Sequence, residues 1–123
     1  MSRASVIEVA QVRDAAPLFA ALGDETRLRL LVRLSASGPE SISRLSAKTP
    51  VSRQAVTKHL NVLSRAGLIR GSRRGRERIW QVEPKRLADA RLHLDRISRL
   101  WDDALGRLQR HVERQTQDST GGS

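Results

Sequence analysis

From Ser52 to Ala66 the apolar residues recur every three or four positions: Val56, Leu60 and Leu63, with Ala55, Val62 and Ala66 beside them. Arg53, Gln54, Thr57, Lys58 and Asn61 fall on the opposite side. This is the pattern of an amphipathic helix, with Ser52 in the N-cap position. Gly67 stops it, and the apolar period then drops to two. Leu68-Ile69-Arg70 and Arg78-Ile79-Trp80-Gln81-Val82 are β-rich and flank Gly71-Ser72-Arg73-Arg74-Gly75, a turn sequence, so a hairpin with a basic tip is expected. Few folds place a strongly two-faced helix directly before a basic hairpin, and this succession constrains the chain more than any other feature.

The elements upstream narrow the choice. Ser41 opens a helix with Ile42 and Leu45 as buried positions, ending near Lys48, and Thr49-Pro50-Val51 is a tight connection because the residue before proline avoids the helical region. Helix, short turn and helix make a helix-turn-helix, and the hairpin makes it winged. Before it, Asp24 caps a helix running to about Ser35 with Leu28, Leu31, Val32 and Leu34 as its core stripe, stopped by Ser37-Gly38-Pro39. Ala15 to Leu22 reads as a short helix with Leu18, Phe19 and Leu22 on one face and Pro17 in its first turn, and residues 1–14 as an arm or weak helix through Val6, Val9, Ala10 and Arg13. After the hairpin, Pro84 opens a long helix to about Glu113, and residues 115–123 read as a disordered tail. The expected class is mostly α with a small β-hairpin. A winged helix-turn-helix domain covers 15–83 and a C-terminal dimerisation helix covers 84–114.

Charge points to the partner. Among 123 residues, 23 are Lys or Arg and 13 are Asp or Glu, a net charge of +10. Residues 41–80 hold ten basic side chains against Glu77 alone, so nearly all of the excess sits in the two-helix and hairpin block. A field that concentrated predicts a polyanion, and an α-helix fits the major groove of duplex DNA. Arg53 and Gln54, at the start of the helix, suit base edges, since Arg can bond bidentately to guanine and Gln to adenine. Thr57, Lys58 and Asn61, about one turn along, suit thymine methyls, base edges or phosphate. Ser52 suits a phosphate oxygen at the helix N-terminus. Arg73, Arg74, Arg76 and Arg78 suit the backbone or the adjacent minor groove. His59, at the edge of the apolar stripe, is open between packing and contact, whereas Trp80 reads as core.

Gly23-Asp24-Glu25-Thr26-Arg27-Leu28-Arg29-Leu30-Leu31, Val51-Ser52-Arg53-Gln54-Ala55-Val56-Thr57-Lys58-His59-Leu60-Asn61-Val62-Leu63 and Ala66-Gly67-Leu68-Ile69 together resemble the ArsR-type winged-helix transcriptional repressors over about Leu18 to Val82. Gly75-Arg76-Glu77-Arg78-Ile79-Trp80 and Trp101-Asp102-Asp103-Ala104-Leu105 resemble a thiol-free branch of that family. The resemblance implies a homodimeric, usually autoregulating repressor on an imperfect palindrome, with the residues matching Ser52, Gln54, Thr57, Lys58 and His59 on DNA. In many members a bound metal lowers DNA affinity. The pattern departs here: Ser41-Ile42-Ser43 stands where many members carry Cys-x-Cys, and His93 and His111 are followed three positions later by Arg96 and Arg114 instead of Glu. Hydroxyls do not replace thiolates toward a soft metal, so neither metal nor cofactor is expected, with Asp89, His93 and Asp102 as the one alternative grouping.

The long helix carries Leu87, Ala90, Leu94, Ile97, Trp101, Leu105, Leu108 and Val112 in steps of three and four, more apolar length than one small domain buries, so these residues are expected to form a two-fold seam. The absence of Cys excludes disulfides, zinc fingers and a thiol nucleophile. No apolar run approaches a membrane span, the N-terminus lacks a signal-peptide core, and a cytoplasmic protein is expected. There is no glycine-rich phosphate loop and three scattered His suggest no triad, so an enzyme is not expected. The competing reading is a non-specific nucleic-acid-binding or chromosome-organising protein. The inducing signal is left open between a small organic ligand, a partner protein and changes in protein level.

Overall fold

The computed structural model describes residues 9–121, so Val6 and the rest of 1–8 lie outside it. The element order is α1 (Val9–Leu22), α2 (Glu25–Ser37), β1 (Glu40–Ser41), α3 (Ile42–Ala47), α4 (Arg53–Arg65), β2 (Ile69–Arg74), β3 (Glu77–Val82) and α5 (Pro84–Gly121). The strands form one antiparallel sheet in the order β1-β3-β2. Helices α1 to α4 and the root of the sheet enclose one aliphatic core of Leu18, Leu30, Leu34, Leu45, Val56, Leu60, Leu63, Leu68 and Ile69, closed by Trp80 and Ala90. With so few aromatic residues, Leu and Val fill the volume, and fully burying each such side chain is worth about 1.5–3 kcal/mol.

Three caps set the helix starts. The Asp24 carboxylate accepts from the Arg27 N–H at 3.0 Å, the Ser41 hydroxyl from the Arg44 N–H at 3.2 Å and the Ser52 hydroxyl from the Ala55 N–H at 3.1 Å. Each satisfies a backbone donor that the first helical turn leaves unpaired, typically worth about 1 kcal/mol. All three caps fall on the residues that sequence reasoning assigned to helix starts.

Several expectations are corrected. Helix α1 is one continuous helix across the expected boundary at 14/15, and Pro17 lies well inside it instead of in its first turn. Arg13 and Pro17 are both on the exposed side, so the Arg13 carbonyl that loses its N–H partner faces water. In α2 the buried stripe is Leu30, Leu31 and Leu34, while Leu28 and Val32 are exposed. Both stripes have helical spacing. The one chosen puts Arg27 where its guanidinium bonds the Ala21 carbonyl at 2.7 Å and the Ala20 carbonyl at 3.3 Å, closing the C-terminus of α1. Strand β1 was not foreseen, because two residues show no period. It pairs Glu40 with Trp80 and Ser41 with Ile79, and Arg33 of α2 grips Glu40 in a two-pronged ion pair at 2.7 and 3.0 Å.

The hairpin is longer and its turn shorter than expected. Ser72, Arg73 and Arg74 lie in β2, and only Gly75-Arg76 turn, with Gly75 at φ +62. Gly71 is a strand residue facing Trp80 across the ladder. A Cβ there would meet the Trp80 ring at 3.1 and 3.2 Å and Arg78 Nε at 2.7 Å, so this glycine permits close approach and is not a turn residue. Helix α5 continues through Gly121 where an end near Glu113 and a disordered tail were expected. No proline follows Pro84 to interrupt it.

Candidate nucleic-acid interface

Helix α4 is divided by its packing. Val56, Leu60 and Leu63 are fully buried against the core, which turns Ser52, Arg53, Gln54, Thr57, Lys58 and Asn61 to the exposed face. The stagger of 3.6 residues per turn sets Arg53, Gln54, Thr57, Lys58 and Asn61 along one side of a rod of about 20 Å. Thr57 donates its hydroxyl to the Arg53 carbonyl at 2.9 Å, so the side chain presents chiefly its methyl group outward. The Ser52 oxygen accepts from the helix start, leaving its hydroxyl proton to donate elsewhere.

His59 departs from this group. It is only partly exposed, and its Nδ1 lies 3.4 Å from Arg27 Nη1 and 3.7 Å from an Asp24 oxygen. The side chain is turned toward the start of α2, the packing alternative of the two that the sequence left open for it. Asp24 is held below the usual carboxylate range, first by the Arg27 backbone N–H, with partial desolvation opposing and the His59 and Arg27 charges assisting. Sequence spacing could not reveal this, because the partners are more than thirty residues apart.

In the wing, alternation along the strands sorts the arginines. Arg73 and Arg78 are cross-strand partners on the Trp80 side of the sheet, and Arg74 faces Glu77. Arg78 lies 4.9 Å over the Trp80 ring, a cation–π contact that fixes one of the four guanidiniums. Two guanidiniums directly opposite each other repel, so an anion that sits between Arg73 and Arg78 relieves the pair. Arg76, in the turn, is exposed at the tip. Glu77, the one acid of the basic block, accepts a hydrogen bond from the Ser43 hydroxyl at 2.6 Å and so ties the wing to α3. Sequence reasoning named Glu77 as the lone acid of the block and Ser43 as a replaced thiol position, but did not foresee that the two meet; the lone carboxylate among ten cations was the available signal.

Helix α5 divides its apolar stripe. Ala90 is buried in the domain's own core and Leu87 packs against the same cluster, which corrects their assignment to an intermolecular seam. Ile97 is partly covered, whereas Leu94, Trp101, Leu105, Leu108 and Val112 are exposed. The first turns of α5 are fastened by Arg86, which reaches Asp14 of α1 at 3.1 Å, Asp89 at 3.3 Å and the Ala66 carbonyl at the end of α4 at 3.3 Å. His93 is buried and bonds Asp14 through Nε2 at 2.9 Å. These two partners, His93 first, hold the Asp14 carboxyl below its ordinary value against a desolvation that raises it.

A helix-turn-helix domain family model matches residues 22–72. The HTH-type transcriptional regulator Rv2034 of Mycobacterium tuberculosis is 42% identical over 85 residues, spanning 69% of this chain and 76% of its own. Among solved structures, an ArsR-like transcriptional regulator from Rhodococcus sp. RHA1 superposes with a TM-score of 0.68 at 37% identity, covering 83% of this chain and 95% of that one. The chain belongs to the ArsR-type winged helix-turn-helix transcriptional regulators. A further structural relative is the AntR antimony-specific transcriptional repressor, with a TM-score of 0.61 at 30% identity over 79% of this chain and 88% of that one.

As an ArsR-type regulator, the chain is a DNA-binding transcriptional regulator. Its Ser41 and Ser43 hydroxyls have structural work, one capping α3 and the other holding Glu77. Asp89 is engaged by Arg86 and His93 by Asp14, and the described residues contain no cluster of three or more His, Cys, Asp or Glu able to hold a metal ion. The alternative grouping of Asp89, His93 and Asp102 is therefore not assembled. No helix among the described residues is long and apolar enough to cross a membrane.

Proposed function

We propose that this regulator is a cytoplasmic homodimeric repressor that reads a palindromic operator, with α4 in the major groove and the wing on the flanking backbone or minor groove. The observation that carries the reading is the segregation of α4: a fully buried apolar stripe fixes the helix, and every side chain on its free face can contact a base edge or a phosphate. In this reading Arg53 and Gln54 contact base edges, and Thr57 offers its methyl group to thymine. Ser52, Lys58 and Asn61 contact backbone or neighbouring bases, and Arg73, Arg74, Arg76 and Arg78 supply phosphate contacts. The exposed residues Leu94, Trp101, Leu105, Leu108 and Val112 support a two-fold seam along α5. Such a seam would set the two reading helices about 34–36 Å apart, one turn of duplex.

The reading assigns the chain no catalysis, and no induction by a soft metal, since hydroxyls occupy the thiolate positions. Footprinting on the DNA upstream of its own gene tests it. The expected result is protection of an inverted repeat, with affinity falling about 10³–10⁵-fold between 50 and 200 mM salt if 6–10 phosphates are contacted. Equal affinity for the repeat and a scrambled duplex would replace this function with non-specific nucleic-acid binding.

A further inference from the structure

Between α2 and the connection from α3 to α4 lies a pocket of about 210 Å³. Helix α2 lines one side through Glu25, Thr26, Arg29 and Arg33, and the connection lines the other through Lys48 and Thr49. The pocket adjoins α4 in two places. Pro50, also on the lining, stands two residues before Ser52, the N-cap of α4. Asp24, the residue before Glu25, lies 3.7 Å from His59 in the middle of α4. Helix α3 separates the pocket from the wing, since Ser43 near its start holds Glu77 of the wing and its end at Ala47 leads into Lys48. The charge of the lining is unbalanced. Lys48 is exposed and has no ion pair among the described residues. Arg29 is matched by Glu25 at 2.7 Å, and Arg33 by Glu40 through Nε and Nη2, which leaves Arg33 Nη1 without a partner among the described residues. The partly covered Thr26 hydroxyl has none among them either. One uncompensated cation beside spare N–H and O–H donors favours a monoanion with several acceptor oxygens.

We propose that this pocket holds one phosphodiester group of the duplex backbone, with Lys48 as its counter-ion and Thr26 and Arg33 as further donors. The proposal rests on the DNA-binding reading and adds to it a backbone anchor at the end of α3 away from the wing. Size and charge both narrow the class. The volume is below the roughly 300–1,000 Å³ of a cleft that encloses a drug-sized ligand, so it suits one small group carried on a larger molecule. A phosphodiester bears a single charge, which Lys48 balances. A free phosphate carries close to two charges at pH 7 and would need a second cation, but Glu25 and Glu40 already hold the two arginines. Backbone contacts of this kind carry no sequence information and fix how a reading helix lies in its groove. With the wing arginines on one side and this pocket on the other, α4 would be held at both flanks.

Mobility-shift titrations of the full chain across a salt series test the pocket, using a duplex that the wild type shifts and copies of it with one neutral methylphosphonate at each backbone position in turn. Lys48→Gln should weaken binding of every duplex at least about fivefold and lower the salt slope by about 1 per subunit. Lys85→Gln removes an exposed cation at the start of α5 and serves as the charge-matched control, with a clearly smaller loss expected. One methylphosphonate position in each half-site should cost the wild type about as much as Lys48→Gln does, and should cost Lys48→Gln nothing further. Circular dichroism checks that each variant keeps its helices. A loss in Lys48→Gln no greater than in Lys85→Gln overturns the proposal, as does a methylphosphonate series that costs Lys48→Gln as much as the wild type at every position. Either result, with the wild type still shifting the unmodified duplex, removes the pocket and leaves the DNA-binding reading intact. A wild type that shifts no duplex removes both.

Discussion

Replacing Gly71 by alanine should destabilise the protein, although alanine in place of glycine inside a strand ordinarily stabilises. The ordinary gain is about 0.5–1 kcal/mol, from lower freedom of the unfolded chain. Against it stands the new Cβ, which would sit 2.7 Å from Arg78 Nε and 3.1–3.2 Å from two ring atoms of Trp80. The arginine tip can swing away at the expense of its ring contact, worth about 0.5–1 kcal/mol at an exposed site. Trp80 cannot do so, being buried between β1 and β2. Overpacking of this kind costs about 1–3 kcal/mol, so the net loss should be about 1–2 kcal/mol. Urea unfolding followed by the fluorescence of Trp80 measures it, in a Trp101→Phe background that leaves one reporter. The double variant Gly71→Ala/Arg78→Ala should recover part of the loss, because only the ring contact then remains to be relieved. A Gly71→Ala protein as stable as the parent, or more so, would refute the claim that this glycine serves close approach.

Other perturbations separate the parts of the interface. Gln54→Ala should relax base preference at one operator position by about 1–3 kcal/mol, read by binding to single-base operator variants, whereas Arg74→Ala should weaken all sequences alike and reduce the salt slope by about 1. Glu77→Gln keeps an acceptor for Ser43 but removes the only negative charge of the 41–80 block, so affinity for any duplex at low salt should rise a few-fold in a mobility-shift titration. For Asp14, whose folded carboxyl titrates below its ordinary 3.8, the stabilising contribution is present above that value and lost as pH falls through the folded one. The stability gap between wild type and Asp14→Asn should therefore stay level near neutrality and close below about pH 3.8, as read by unfolding across an acid series.

The readable parts of the chain were those in which local chemistry and tertiary packing agree. Caps at Asp24, Ser41 and Ser52 and the stripe of α4 stood out because a capping side chain and a 3.6-residue repeat need no distant partner. Reading failed where two local answers were equally good. In α2, Leu28-Leu31-Val32 and Leu30-Leu31-Leu34 both satisfy helical spacing, and only the docking of Arg27 onto the carbonyls of α1 separates them. Gly71 resembled a turn residue because a glycine needed for close approach and one needed for φ > 0 are spelled alike; of the two hairpin glycines, Gly75 has the positive φ and Gly71 does not. At the interface, five of the six α4 residues expected on DNA are polar and exposed, and four of them lie in the N-terminal half of the helix. His59 stayed open between packing and contact because its partners Asp24 and Arg27 lie at the start of another helix.

The contacts of Arg86 also bear on how the proposed seam on α5 would govern α4, the proposed reading helix. Strand β3 ends at Val82 and α5 begins at Pro84, so the wing and the long helix share a single residue of linker, too short to pivot freely. Arg86, one turn into α5, holds the end of α4 through Ala66 and the body of α1 through Asp14. In the proposed dimer, any rotation of α5 must therefore carry the wing, α4 and α1 with it or break those bonds. Leu105→Arg places a charge in the exposed stripe without touching the domain core. It should yield monomers in sedimentation experiments that bind a half-site with the wild-type base preference but lose the gain from the second half-site. Full-affinity binding of the whole palindrome by such monomers would show that α5 does not set the spacing of the reading helices.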